Sequence, residues 1–200
     1  MAIKFQFNKT ALNDLNKQLK IRVRALPTIK NKESALRLEV KKAKTKSDAL
    51  SARVLEKMAE YDYMVALWGE FEPGLVSVVD VQLGVIKIAG VKIPILQDVV
   101  FSVKEFNYFA KPFWFAEGII VLKELAAIGL EREFFLEKMR LLDFARKKTT
   151  QKVNLYEKVQ IPGYEEAIRK IKRFLEDEEN LSKSAQKIVK QRLEMVEDEQ

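Results

Sequence analysis

The sequence predicts a mainly α protein. Its N- and C-terminal helices form a long antiparallel two-helix coiled coil, with a small β-hairpin-containing insert in the middle. Two patterns carry this expectation. The first is where glycine and proline fall. Residues 1–68 hold no glycine and one proline, Pro27, and residues 119–200 hold only Gly129, Gly163 and Pro162. Residues 69–118 hold Gly69, Gly74, Gly84, Gly90 and Gly118 with Pro73, Pro94 and Pro112. Both residue types cost helix stability, so their exclusion marks where helix runs on. The second pattern is a heptad seam through the first stretch. The sequence therefore divides into an N-terminal helix over 1–68, an insert over 69–118 and a C-terminal helix over 119–200, in one elongated domain.

Helix one carries the clearest periodicity. One seam position reads Leu12, Leu19, Leu26, Glu33, Val40, Ser47, Val54, Tyr61 and Trp68. The other reads Leu15, Arg22, Ile29, Leu36, Ala43, Leu50, Lys57 and Met64. A two-position stripe is what a coiled coil needs. A helix of about sixty residues would be about 90 Å long. Arg22, Glu33, Ser47 and Lys57 interrupt the seam. Polar seam residues either fix register or face solvent where the partner helix drifts away.

The insert reads as β structure. Leu75–Leu83 is rich in β-branched residues, and Val85–Leu96 reads as a hairpin turning at Ala89-Gly90. That turn sets Ile88 opposite Val91, Lys87 opposite Lys92 and Ile86 opposite Ile93. Four aliphatic residues then share one face and two lysines the other. Pro94 cannot donate to a ladder, so its strand ends there or lies at an edge. Phe106, Tyr108, Phe109, Phe113, Trp114 and Phe115 follow as an aromatic cluster, either a small core under the hairpin or a docking surface. The second long helix is less regular: Ile119, Ile120, Leu122 and Leu125, then Phe135, Met139 and Leu142, then Val153, Tyr156, Val159, Tyr164, Ile168 and Ile171. Two helices around a compact insert can fold back and bury each other's stripes.

Composition narrows the function classes. The chain has no cysteine and no histidine, so it lacks disulfides, thiol chemistry and the commonest metal ligand and general base. No phosphate loop and no Gly-x-Gly-x-x-Gly occurs. Carboxylates such as Glu176, Asp177, Glu178 and Glu179 sit in charge runs typical of solvated helix. No catalytic residue, cofactor site or metal site is expected. The first residues lack the apolar core of a signal peptide, and the best apolar run, Gly118–Leu130, is cut by Lys123 and Glu124. A soluble intracellular chain is expected.

Net charge is +7, unevenly placed: +9 over the first sixty residues and −2 over the rest. Lys30, Lys32, Arg37, Lys41, Lys42, Lys44 and Lys46 dominate the basic end. A nucleic-acid-binding arm is one reading. A basic face meeting an acidic protein surface is the better one, since no aromatic residues are interleaved for stacking.

Three stretches resemble a known family. Leu26–Lys44 (LPTIKNKESALRLEVKKAK), Ile88–Leu96 (IAGVKIPIL) and Lys152–Glu179 (KVNLYEKVQIPGYEEAIRKIKRFLEDEE) are similar, in that order, to signatures of the D subunits of V/A-type ATPases and ATP synthases. The likeness covers nearly the whole chain and is weakest over 98–118. It implies a noncatalytic central-stalk rotor subunit, transmitting torque between ATP chemistry in the head and ion translocation by the membrane ring. It implies partners in the catalytic and regulatory head subunits, the small F subunit of the central stalk and the funnel subunit on the membrane ring. It implies no nucleic acid, no membrane insertion, and a cytoplasmic place peripheral to the membrane. Carried over by motif, Gly90, Val91, Lys92, Ile93 and Pro94, with Ile86 and Ile88 beside them, mark a partner-binding hairpin. Val153, Asn154, Glu157, Ile161 and Pro162 mark the C-terminal helix. Gly163 departs from the family pattern, in which a basic residue often follows Ile-Pro. The alternative is a free-standing coiled-coil scaffold or nucleic-acid-binding rod using the basic half.

Overall fold

The computed structural model describes residues 3–72, 74–107, 109 and 111–198. Helix α1 (Lys9–Glu60) leads through a 3₁₀ segment (Asp62–Glu70) to strands β1 (Val76–Ile88) and β2 (Val91–Val103). Helix α2 (Trp114–Asn154) passes through a π-helical turn (Leu155–Gln160) into helix α3 (Ile161–Asp198). The chain forms two compact units. One comprises Met1–Asn31 with Thr149–Gln200, and the other comprises Lys32–Lys148. In both, an α1 segment lies antiparallel to a C-terminal helical segment, as the sequence predicts.

In the first unit α1 is capped by Asn8, whose Oδ1 accepts from the Ala11 N–H at 2.6 Å. Leu15 is buried with Ala167, Ile168 and Ile171 of α3. Ile3 and Phe5, in the segment before α1, pack against the same cluster. The Phe7 ring lies 4.9 Å from that of Phe174. This extended strap was invisible as such in the sequence. It explains Gly163: a Cβ there would sit 3.2 Å from Ile3 Cδ1. The position is filled from across the groove.

The second unit is built on Leu36 of α1, Ile93 of β2 and Leu142 of α2, all fully buried. Each such side chain contributes roughly 1.5–3 kcal/mol. Ile86, Ile88, Ala89 and Val91 pack around them. The seam has two depths. Leu36, Ala43, Leu50 and Met64 are buried, whereas Val40, Val54, Tyr61 and Trp68 are half-buried. Helix α1 ends at Glu60, earlier than the expected 68, yet the 3₁₀ segment still buries Met64.

The ribbon follows the expected register, with Ile88 opposite Val91, Lys87 opposite Lys92 and Ile86 opposite Ile93. Leu75–Leu83 is not a separate strand. Strand β1 runs unbroken from Val76 to Ile88, and β2 continues past Pro94 to Val103. Pro94 is tolerated because a two-residue turn makes Ile88–Val91 a hydrogen-bonded pair. Counting from it, Pro94 opposite Val85 is a non-bonded pair, so the missing N–H falls on the free edge. Bulges at Val79 and Gln97 interrupt the ladder, and the adjacent Asp80 and Asp98 side chains accept the Val81 and Val99 N–H groups. Gly84 lets Gln97 lie close: a Cβ would meet its Nε2 at 2.8 Å.

Phe115 is buried with Leu75 and Ile119, and Phe71, Phe106 and Trp114 pack on them. These aromatics are core beneath the ribbon's base, whereas Phe109 and Phe113 are fully exposed. Tyr108 lies outside the described residues.

Candidate functional site: the helix seam and the ribbon

The polar seam residues mostly have partners. Arg22 Nε donates to Gln160 Oε1 at 2.7 Å, and the Arg22 guanidinium lies 4.6 Å from the Tyr164 ring centroid and 6.0 Å from that of Tyr156. Lys30 Nζ lies 2.6 Å from Glu157 Oε1. Between these two links both helices interrupt their regular ladders. Pro27 removes a donor from α1, and Leu155–Gln160 is π-helical. The Ile161 N–H reaches Tyr156 O, five residues back. Pro162 supplies a cause, because its ring crowds the carbonyl four residues earlier and a π turn re-routes the bonding.

In the second unit Ser47 is buried at a seam position, and Arg132 Nε donates to Ser51 Oγ one turn on, at 2.8 Å. Lys57 Nζ lies 3.0 Å from Glu60 and 3.7 Å from Glu124 of α2. Its pKa is raised, chiefly by the Glu60 hydrogen bond. Glu33 pairs with Arg37 one turn along α1. Of these, Arg132–Ser51 and Lys57–Glu124 cross between the two helices, where they oppose sliding, whereas Glu33–Arg37 and Lys57–Glu60 lie along α1 itself.

The family-derived residues fall into two groups. In the second unit Ile93 is fully buried, and Ile86, Ile88 and Val91 face the same core. Gly90 occupies the turn at φ +80°, Lys92 is exposed, and Pro94 lies opposite Val85. In the first unit Val153 is half-buried, Asn154 ends α2, Glu157 pairs with Lys30, Ile161 opens α3 and Pro162 is exposed beside it. Arg22 stood out in the sequence only as a break in the seam. Gln160, Tyr164 and the Ile3–Phe7 strap gave no separate signal, because their roles depend on what lies across the groove.

Among the described residues, no group of histidine, cysteine, aspartate and glutamate is arranged to hold a metal ion. No described helix is long and apolar enough to cross a membrane.

The family profile that describes the D subunit of ATP synthase matches residues 11–191. The chain belongs to this family. Among similar proteins is a V-type ATP synthase D subunit from Borreliella burgdorferi, 30% identical over 190 residues, spanning 92% of this chain and 94% of that one. Its counterpart from Chlamydia muridarum is 26% identical over 199 residues, spanning 97% and 98%. That from Chlamydia trachomatis serovar L2 is 27% identical over 174 residues, spanning 84% and 86%. Each relative carries the name of one component of an ATP synthase complex, and the matches run through both units of the structure.

Proposed function

We propose that this chain is the noncatalytic central-stalk rotor component of a V/A-type ATP synthase or ATPase. It transmits torque between ATP hydrolysis or synthesis in the catalytic head and ion translocation by the membrane ring. The observation that carries this reading is the cross-bracing of the helix pair. Arg22–Gln160 and Lys30–Glu157 tie α1 to the π turn in one unit, and Lys57–Glu124 ties α1 to α2 in the other. A pair of helices that twists about its axis must slide one helix past the other, and each such link resists that slide.

The expected partners are the catalytic and regulatory head subunits, the small F subunit of the central stalk and the funnel subunit of the membrane ring. Beyond Leu175, α3 exposes Leu181, Ile188 and Met195, spaced by seven residues. This heptad stripe suits a sleeve of head subunits around the helix. The chain's place is at the cytoplasmic face of the membrane, through the complex.

The test is reconstitution. Head complex lacking this chain should show ATP hydrolysis stimulated or coupled on adding the purified chain, which alone hydrolyses none. Failure to co-purify with the large ATPase subunits from native membranes would overturn the reading. So would stoichiometric ATPase activity in the rigorously purified chain.

A further inference from the structure

In the first unit the packed face of the C-terminal helical segment repeats by sevens on either side of the π turn and by eight across it. One line runs Thr149, Tyr156, then Tyr164, Ile171; the other runs Val153, Gln160, then Ile168, Leu175. All of these are buried or half-buried. Tyr156 to Tyr164 and Gln160 to Ile168 are each eight residues apart. Eight residues of ideal α-helix turn a side chain about 80° from its starting direction, against about 20° for seven. Both lines nevertheless stay on the packed face. Arg22 shows this directly: its guanidinium lies 6.0 Å from the Tyr156 ring centroid and 4.6 Å from that of Tyr164. One cation faces the last ring before the excess residue and the first ring after it.

The π turn takes up that residue. Its bonds span five residues instead of four, as the Ile161 N–H on Tyr156 O shows. Pro162, next in the chain, has no N–H to offer the ladder. On the facing helix Pro27 removes another donor, between Arg22 and Lys30, whose partners Gln160 and Glu157 both lie in the π turn. Both ladders are therefore short of bonds at one level of the pair. Leu155, Val159 and Pro162 are exposed, so little packing holds that side of the turn.

We propose that Leu155–Gln160 is a joint built into the helix pair. It stores the one residue by which the two stretches of seam are out of phase, and it is the level at which the pair opens and turns first, with Arg22 as its clip. Opening there breaks few backbone bonds, while Leu15, Ile168 and Ile171 stay packed on one another. The joint belongs to the first unit alone and does not depend on the rotor reading.

Hydrogen exchange and thermal unfolding of the full chain test it. In the natural sequence the amides of Glu157–Ile161 should be protected at least about tenfold less than those of Ile168–Leu175. Arg22→Met should lower protection further at 157–161 and leave 168–175 unchanged; an equal loss in both stretches would make Arg22 a general stabiliser and not a clip. Deleting Pro162 removes the excess residue and the proline together, and restores sevens from Tyr156 to Tyr164 and from Gln160 to Ile168. That variant should keep its melting temperature or raise it, with 157–161 now protected as well as 168–175. Deleting the exposed Arg169 instead shortens both Tyr164–Ile171 and Ile168–Leu175 to six, and should lower the melting temperature. Equal protection of the two stretches in the natural sequence would overturn the joint. So would equal destabilisation by the two deletions.

Discussion

Arg22 donates through Nε to Gln160 Oε1 at 2.7 Å, and its guanidinium lies over Tyr164 at 4.6 Å from the ring centroid. A cation at a coiled-coil seam position thus has both its hydrogen bond and its apolar face satisfied by the partner helix. A slide of one residue along the π turn and the start of α3 would lose both. Such a residue fixes register more than it adds stability.

The first prediction follows from that pairing. Arg22→Ala should destabilise by about 2–4 kcal/mol, the combined scale of a charged hydrogen bond and a cation–π contact. A double-mutant cycle with Gln160→Ala should give a coupling energy of about 0.5–1.5 kcal/mol. Urea midpoints for the four proteins measure it. Strict additivity would remove the direct link.

The two faces of the ribbon should respond differently. Ile93 is fully buried, so Ile93→Ala should cost about 2–5 kcal/mol through lost transfer energy and the cavity left behind. Val85 is 68% exposed, and Val85→Ala should change stability by less than about 0.5 kcal/mol. Thermal denaturation of the isolated chain compares them. Similar losses at both sites would contradict the assigned inner and outer faces.

Gly163 and Ile3 should be coupled. Gly163→Ala gains about 1 kcal/mol of helix propensity but brings a methyl group to 3.2 Å from Ile3 Cδ1. In an Ile3→Ala background that crowding is gone. The alanine substitution should therefore be more favourable there than in the natural sequence, read from chemical denaturation of the cycle. Equal effects in both backgrounds would mean the strap does not occupy this notch.

Asp143 gives a pH dependence. Hydrogen bonds from Lys147 and Arg146, in that order, hold its pKa below the ordinary carboxylate value. The folded state thus binds its proton more weakly than the unfolded chain, whose value is about 3.9. The stabilisation is fully present above that value and is lost as pH falls toward and through the folded pKa. Asp143→Asn should flatten the acid limb of a stability-versus-pH curve while lowering the plateau at neutral pH. An acid limb unchanged by the substitution would assign it to other carboxylates, such as Glu166 and Glu179, whose values are also lowered by lysines one turn on.

The sequence by itself determined the helices, the hairpin turn and its register. These are local properties: the absence of glycine and proline lets helix run, the heptad of Leu15, Leu36, Ala43 and Leu50 repeats along one chain, and the period-two pattern around Ala89-Gly90 aligns Ile88 with Val91. Only the tertiary structure decided which surfaces are covered. Ile86 and Ile93 face inward because Leu36 and Leu142 come from helices distant in sequence, and that turns Val85 outward. Arg22 is a tie and not a solvated break because Gln160 and Tyr164 stand across the groove. Gly163 is a notch because Ile3 returns to fill it. Periodicity records which residues share a face. The partner of that face is fixed by long-range packing, to which a single-sequence pattern carries no distance information.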